Sequence, residues 1–414
     1  MTSTLIQNVR LLCPASGTDR VSTVRLEGGR ISHIGATPSA ETTIDGRGLW
    51  LMPAAIDLCA RLREPGATAK ATIASETAAA RDAGIGLLVM PPDTKPVADS
   101  AAVIDRIHMK ATQADAARVR VLGALTQGLQ GEALAELSAL KAAGVVGVSN
   151  GMAPLANLLL ARRALEYANG LGLTVHVVAA DAALANYGCA HEGAMATKLG
   201  LAPIPVAAEV AAIRQWISLV EDTGAAVHFG RLSSARGAEL VESAQERKLS
   251  ITADVAAHQL FLTDAALEGF NPMAHVLPPL RSVDDRDALR GALAKGVVSA
   301  LCSDHQPHEA DAKVNPFPLT EPGISALETL LPLALQLVDD GVLSPLQCAA
   351  RLCTGPAAIL RLAPPRIAVG ETLSLTLVDP TATWVLEPAK MASRGRNTPF
   401  AGRTFTGRVQ ATFL

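Results

Sequence analysis

The sequence predicts an α/β chain built as a (β/α)8 TIM-type barrel, with a small composite β domain contributed by both termini. Three observations predict it. Between residues 51 and 364, apolar strand-like runs alternate with amphipathic helical stretches in eight units. Several runs are apolar without interruption, as in Ile85-Gly86-Leu87-Leu88-Val89-Met90, which suits parallel strands buried on both faces. Strand-like pattern also precedes residue 51 and returns after residue 364, and a chain of 414 residues has room for one large barrel and an accessory domain.

Residues 1–50 read as short strands and turns. Leu5 to Leu12 is strand-like, and Val21 to Leu26 and Arg30 to Ile34 flank a Gly28-Gly29 hairpin signal. Thr43-Ile44-Asp45-Gly46 leads into the barrel. Barrel strands are expected at 51–59, 85–90, 118–124, 145–149, 172–178, 225–230, 249–255 and 297–303. Helices are expected at 71–83, 97–116, 131–142, 154–170, 206–221, 236–247 and 283–294, with a further helix at 322–338. Leu134, Leu137 and Leu140 form one apolar stripe of the helix at 131–142. Pro364-Pro365 reads as a short linker, and strands follow at Thr372–Val378, 384–386 and Thr404–Phe413. The expected division is a composite β domain of 1–50 and 365–414 around a barrel of 51–364.

Composition narrows the function classes. Hydrophobic residues make up 49% and charged residues 18%, which supports a large core rather than disorder. Net charge is −3 with no long run of either sign, a poor footprint for nucleic acid or an anionic membrane surface. The start MTSTLIQNVRLL lacks a basic region followed by an apolar one, and no apolar stretch reaches the roughly 18 residues of a membrane span. The six cysteines form no CxxC pair, which suggests free thiols and a cytoplasmic setting. Gly28-Gly29 is a turn, and Gly144 to Gly151 is a strand and its loop rather than a dinucleotide fingerprint.

The stretch most charged with chemistry is Met52 to Gly66, a strand that ends in a Glu64-Pro65-Gly66 turn. It carries Asp57, Cys59, Arg61 and Arg63 at the period of a strand, where a barrel of this class places its active site. Other strand ends offer Asn150, His176, His228 with Arg231, and His258. The last strand runs into Ser303-Asp304-His305-Gln306-Pro307-His308, a carboxylate and two imidazoles suited to metal binding or general-base work.

Taken together, these motifs resemble the dihydroorotase family of the amidohydrolase superfamily. The resemblance is carried by Leu62-Arg63-Glu64-Pro65-Gly66, Met90-Pro91, Thr94-Lys95-Pro96, Ala208-Glu209, Leu262-Thr263-Asp264 and Pro278-Pro279-Leu280-Arg281. It continues through Asp304–His308, Pro322-Gly323-Ile324, Leu327-Glu328-Thr329, Asn397-Thr398-Pro399-Phe400 and Gly402-Arg403. The resemblance implies an amidohydrolase-type barrel and the zinc-dependent interconversion of carbamoyl aspartate and dihydroorotate.

The departures fall on the positions that the resemblance assigns to metal. The two strand-one histidines of the family are Cys59 and Arg61 here, the strand-four acid or carboxylated lysine is Asn150, and the strand-six histidine is Arg231. His176 and Asp304 remain, as do Arg63 and His308, which the resemblance assigns to carboxylate binding. The MPN motif becomes Met90-Pro91-Pro92-Asp93. Guanidinium cannot ligate a cation, so no metal is expected and a guanidinium–Asp304 pair is expected in its place. The expected function is that of a non-catalytic dihydroorotase-like protein of pyrimidine biosynthesis. By family analogy it is an oligomeric structural subunit for aspartate carbamoyltransferase. Two alternatives stand beside it: an active cyclic amidohydrolase with one zinc on Cys59, His176 and Asp304, and a sensor that binds a pyrimidine precursor through Arg63 and His308 without turnover.

Overall fold

The computed structural model describes residues 3–35 and 39–414. The N-terminal part forms strands β1 (Ser3–Cys13), β2 (Thr18–Glu27), β3 (Arg30–Ile34), β4 (Thr42–Asp45) and β5 (Trp50–Pro53). The β2–β3 hairpin turns on Gly28 and Gly29 at φ 58° and 73°. Two successive positive φ values suit glycine and match the twist of the flanking strands. The C-terminal strands, which we label β14 (Leu375–Val385) and β15 (Thr404–Phe413), complete the same sheet. Its order is β15-β14-β5-β1-β2-β3, with β4 alongside β1. Ile6, Val9, Leu11, Val24, Ile31, Leu51, Leu375 and Leu377 give it an apolar core separate from the barrel's.

The barrel strands are β6 (Ala55–Asp57), β7 (Ile85–Met90), β8 (Arg118–Ala124), β9 (Gly147–Ser149), β10 (Val175–Val177), β11 (Val227–Phe229), β12 (Ile251–Ala256) and β13 (Ala300–Cys302). They pair in sequence order, every pair parallel. The ring closes just beyond the strand ends: Ala60 bridges His305, the Arg61 N–H donates to the His305 carbonyl at 2.9 Å, and the His305 N–H donates to the Cys59 carbonyl at 3.1 Å. Closure at the mouth is what sets Cys59 and Arg61 beside Asp304.

Between the strands run α1 (Ile73–Asp82), α2 (Ala101–Ala114), α3 (Leu137–Ala142), α4 (Leu158–Gly170), the short α5 (Ala182–Ala185) and α6 (Ala194–Leu199), α7 (Val206–Thr223), α8 (Ala235–Glu246) and α9 (Val283–Lys295). α10 (Leu327–Asp339) follows the last strand. The helix starts have local causes. Thr72 and Ser75 form a capping box on α1, and Ser282 and Asp285 form one on α9. No helix among the described residues is long and apolar enough to cross a membrane.

Four expectations about elements are corrected. The strand at 51–59 divides at Pro53, which has no N–H. The next donor, Ala54 N–H, bonds to the Ser374 carbonyl at 2.8 Å, so Trp50–Pro53 belongs to the small sheet and Ala55–Asp57 to the barrel. The helix at 131–142 begins only at Leu137, because Thr126 bridges Leu134 and the Ala135 N–H donates to the Leu125 carbonyl. The helix at 322–338 begins at Leu327, since the N–H groups of Gly323 and Ser325 are taken by the carbonyls of His275 and Asn397. The separate strands at 372–378 and 384–386 are one strand with an irregular register between Asp379 and Thr383.

Candidate functional site

Three residues at the barrel mouth hold a backbone conformation that side-chain-bearing residues rarely adopt: Arg63 (φ 62°), Arg231 (φ 60°) and Asp304 (φ 47°). Such strain persists only where the surroundings enforce it. Here the enforcement is visible. The Ser303 N–H donates to Asp57 Oδ1 at 2.8 Å, and Ser303 Oγ donates to Asp57 Oδ2. Asp57, wholly buried, therefore pins the turn that presents Asp304. The Arg231 N–H donates to Asp254 Oδ1 at 2.6 Å, while His228 Nε2 meets Asp254 Oδ2 at 2.9 Å. Asp254 thus ties the strand-six turn to the seventh strand.

These turns bring the buried Arg231, Arg61 and Asp304 together, with the more exposed Asp93 at the edge of the cluster. Arg231 Nη1 donates to Asp304 Oδ1 at 2.8 Å and to Cys59 Sγ at 3.3 Å. Arg61 Nη1 donates to the same Asp304 oxygen at 3.4 Å, and Arg61 Nε donates to Asp93 Oδ2 at 2.7 Å. Gln306 Nε2 donates to Asp304 Oδ2 at 3.3 Å, so both carboxylate oxygens are satisfied. Cys59 Sγ lies 3.4 Å from Asp304 Oδ1 as a donor. Burial alone pushes the Asp304 carboxyl up, but Arg231 and Arg61 outweigh it and hold it below its ordinary value. Burial pushes the Cys59 thiol up, so Cys59 is a protonated donor rather than a thiolate.

Two guanidiniums against the carboxylates of Asp304 and Asp93 make a cluster of no net charge. The imidazoles around it are neutral as well: burial takes His258 down to about 4 and His176 well below its ordinary value, the latter with help from His228. A divalent ion would stand in this pocket with its charge uncompensated. Each guanidinium would repel it by about 8 kcal/mol at 4 Å and an effective dielectric of about 20. The donor set does not fit zinc. Among the described residues no three His, Cys, Asp or Glu side chains come together as a metal-binding group. Cys59, His176 and Asp304, the set of the single-zinc alternative, do not form such a group in this geometry.

The other singled-out residues divide. Asn150 faces away into its loop, accepting from Thr126 Oγ1 at 2.6 Å and donating to the Ala153 carbonyl at 3.0 Å. His176 sits across the mouth with its ring centroid 5.0 Å from that of His228, and its buried Nε2 has no hydrogen-bond partner. The space shared by Cys59, His176, His228, Arg231 and Asp254 is only about 30 Å3. That is room for a water or two.

Arg63 and His308 do meet. Arg63 Nη2 lies 3.0 Å from His308 Nε2, and Arg63 Nε donates to the Pro307 carbonyl at 3.0 Å. Lys70 Nζ reaches His308 Nδ1 at 3.1 Å and Glu321 at 2.5 Å. Burial, then the charges of Arg63 and Lys70, hold His308 down at about 3. Arg63 is itself pushed down to about 10, first by burial and next by Arg61. A cavity of about 390 Å3 opens beside them, lined by Arg61, Arg63, Lys70, Lys95, Asp93 and Glu321 among others.

Sequence reasoning missed the parts played by Asp93, Asp254 and Gln306. For Asp93 a signal existed: an acid replaces the motif asparagine in the same chain in which an arginine replaces a histidine at Arg61. No local signal links Asp254 to Arg231. Cys348 and Cys353 are buried free thiols packed in the core.

Comparison with known proteins places this geometry in context. Residues 48–236 match a family model described as dihydro-orotase-like. The chain is similar to a dihydroorotase-like protein of Pseudomonas aeruginosa, at 48% identity over 99% of this chain and 97% of that protein. It is also similar to a dihydroorotase of Syntrophotalea carbinolica, at 40% identity over 99% and 97%. Among solved structures, the L-hydantoinase of Arthrobacter aurescens superposes with a TM-score of 0.89 at 22% identity, covering 100% of this chain and 94% of that one, a likeness of fold.

Proposed function

The chain belongs to the dihydroorotase-like family of the amidohydrolase superfamily, and from that premise we propose that it is a catalytically inactive member acting as a structural subunit in pyrimidine biosynthesis. One observation carries the reading: Arg61 and Arg231 converge on Asp304 and neutralise it, in the place where the family's chemistry needs a metal. Cyclic-amide hydrolysis needs an activated water and a polarised carbonyl. A neutral, closed cluster supplies neither. Asp304 as general base is held ionised but occupied, with Arg231, Arg61, Cys59 and Gln306 all donating to it.

A chain that keeps its entire barrel without that chemistry retains its surfaces. We assign these surfaces to an assembly with aspartate carbamoyltransferase in the cytoplasm. The test combines metal analysis, a dihydroorotase assay and size-exclusion mass after mixing with the transferase. The expected result is no stoichiometric zinc, no turnover, and a joint peak. Stoichiometric zinc with turnover overturns inactivity, and separate peaks overturn the partner.

A second reading has its own observation. Arg63 is a half-buried guanidinium whose nearest partners are a carbonyl and an imidazole, and it lines a cavity large enough for a small carboxylate. Binding of dihydroorotate or carbamoyl aspartate there without turnover would raise the melting temperature at millimolar ligand. An unchanged melting curve rejects it.

A further inference from the structure

A cavity of about 430 Å3 lies where α1 and α10 meet β14 and β15 of the small sheet. Its lining residues Asp82 and Ala83 end α1 and lead into the start of β7, so it sits at the opposite end of the barrel from the mouth. The volume is in the range of small-molecule sites. Nothing in the proposed function uses it.

Three features of the lining point to one class of ligand. One wall is a fixed aromatic ring. The Trp384 indole N–H donates to the Gly407 carbonyl at 2.9 Å, and its ring stacks on Phe405 with centroids 5.5 Å apart. Among the described residues no cation lies over Trp384, although Arg10 lies over Trp50 and Arg403 over Phe405. The second feature is Glu328, from the Leu327-Glu328-Thr329 motif. Its Oε1 accepts from the Ser393 N–H at 3.1 Å, and it has no ion pair among the described residues. Burial pushes its carboxyl above the ordinary value, and Arg396, too far for an ion pair, offsets this only in part. The third is Pro332, four residues on in α10. It has no N–H, so the Glu328 carbonyl lacks its helical donor. The rim, by contrast, is compensated or solvated: Lys390 pairs with Glu387 at 2.8 Å, Asp82 with Arg81 at 3.2 Å, and Arg408 is exposed.

We propose that this cavity binds a small flat organic cation, an amidinium or guanidinium that pairs with Glu328 and lies against Trp384. A planar fork of N–H groups matches a carboxylate two bonds at a time. A cation taken out of water gains most from the face of an indole. An anion would meet Glu328 with like charge, and a neutral ring would leave the carboxylate buried and unpaired. The same chemistry is carried by a free small molecule and by the arginine side chain of another protein. The site is independent of the metal positions and of the assembly role.

Titration of the full chain with benzamidinium at constant ionic strength, read by tryptophan fluorescence, tests this. Saturable quenching with a Kd of about 1 mM is expected for a ligand of this size. The chain has three tryptophans, and Trp384→Phe is expected to remove the quenching. Glu328→Gln keeps an acceptor for the Ser393 N–H and is expected to weaken binding about tenfold or more, the loss of a charged hydrogen-bond partner. Benzoate, of the same shape and opposite charge, is expected to give no saturation. A second ligand, N-acetylarginine N-methylamide, separates the two sources. Affinity equal to that of benzamidinium assigns the seat to an arginine side chain, and affinity weaker by about tenfold or more assigns it to a free cation. No saturation by either cation up to about 20 mM overturns the proposal. So does equal quenching by benzoate, quenching that survives Trp384→Phe, or unchanged affinity in Glu328→Gln. If Glu328→Gln does not fold, the benzoate and Trp384→Phe arms decide the matter.

Discussion

Replacing Arg231 by Met removes one charge from a buried cluster and keeps the side chain's length. In the native protein Arg231 Nη1 is 2.8 Å from Asp304 Oδ1, while Arg61 contributes only a 3.4 Å contact to the same oxygen and is shared with Asp93. Both Arg231 and Asp304 are buried, at 5% and 2% exposure, so solvent offers the carboxylate little relief. Breaking a buried pair from one side costs about 3 to 5 kcal/mol, because an uncompensated charge is left behind. For a chain of 414 residues the unfolding entropy is roughly 0.9 kcal/mol per kelvin, so Tm should fall by about 3 to 6 °C. Asp304→Asn supplies the other edge of a double-mutant cycle, since Asn tolerates the left-handed backbone at φ 47°. The double variant carries no unpaired carboxylate and should regain most of the loss, with a coupling of about 2 kcal/mol or more. The assay is urea and thermal unfolding of the four proteins. If Arg231→Met melts within 1 °C of the parent, or the losses simply add, the two groups do not form the energetic unit described here.

Three further outcomes follow from the same geometry. Restoring ligands with Cys59→His, Arg61→His, Asn150→Asp and Arg231→His removes both repelling charges, and metal analysis should find zinc retained after dialysis; a folded, zinc-free product would show that the pocket shape also forbids it. His258, His275 and His308 are pushed down by burial to about 4, 4 and 3, so they stay neutral in the fold while the unfolded chain protonates near pH 6.5. The folded state then binds fewer protons, and their stabilisation is complete above about pH 6.5 and is lost as pH falls toward about 4, by up to about 1.4 kcal/mol per unit for each histidine. His308→Gln should reduce that slope in urea titrations at several pH values, and an unaltered slope rejects the assignment. Finally, all six cysteines are free and buried. A thiol reagent at pH 8 should therefore label none of them in the native state and all of them in denaturant.

The order of elements was legible without coordinates because it is a local property, and the resemblance to the family pointed to the residues at the barrel mouth. A parallel strand buried on two faces must be an apolar run, and Ile85–Met90 is one. A strand end carries its chemistry close to its turn, which draws attention to Cys59, Arg61, Arg231 and Asp304; that two arginines stand where the family has metal ligands is what the resemblance adds. What those arginines do is a different kind of fact. Arg61 divides itself between Asp93 and Asp304, Asp254 pins the Arg231 turn, and Asn150 abandons the pocket for Thr126 and the Ala153 carbonyl. The same is true of the helix starts at Leu137 and Leu327, where distant carbonyls take the N–H groups that a longer helix would use. Sequence by itself determined which residue types reach the mouth of this barrel. Only the closed tertiary structure decided their pairing, because Arg61 and Asp304 lie 243 residues apart, and it is the ring of strands closing at Ala60 and His305 that brings their charges together.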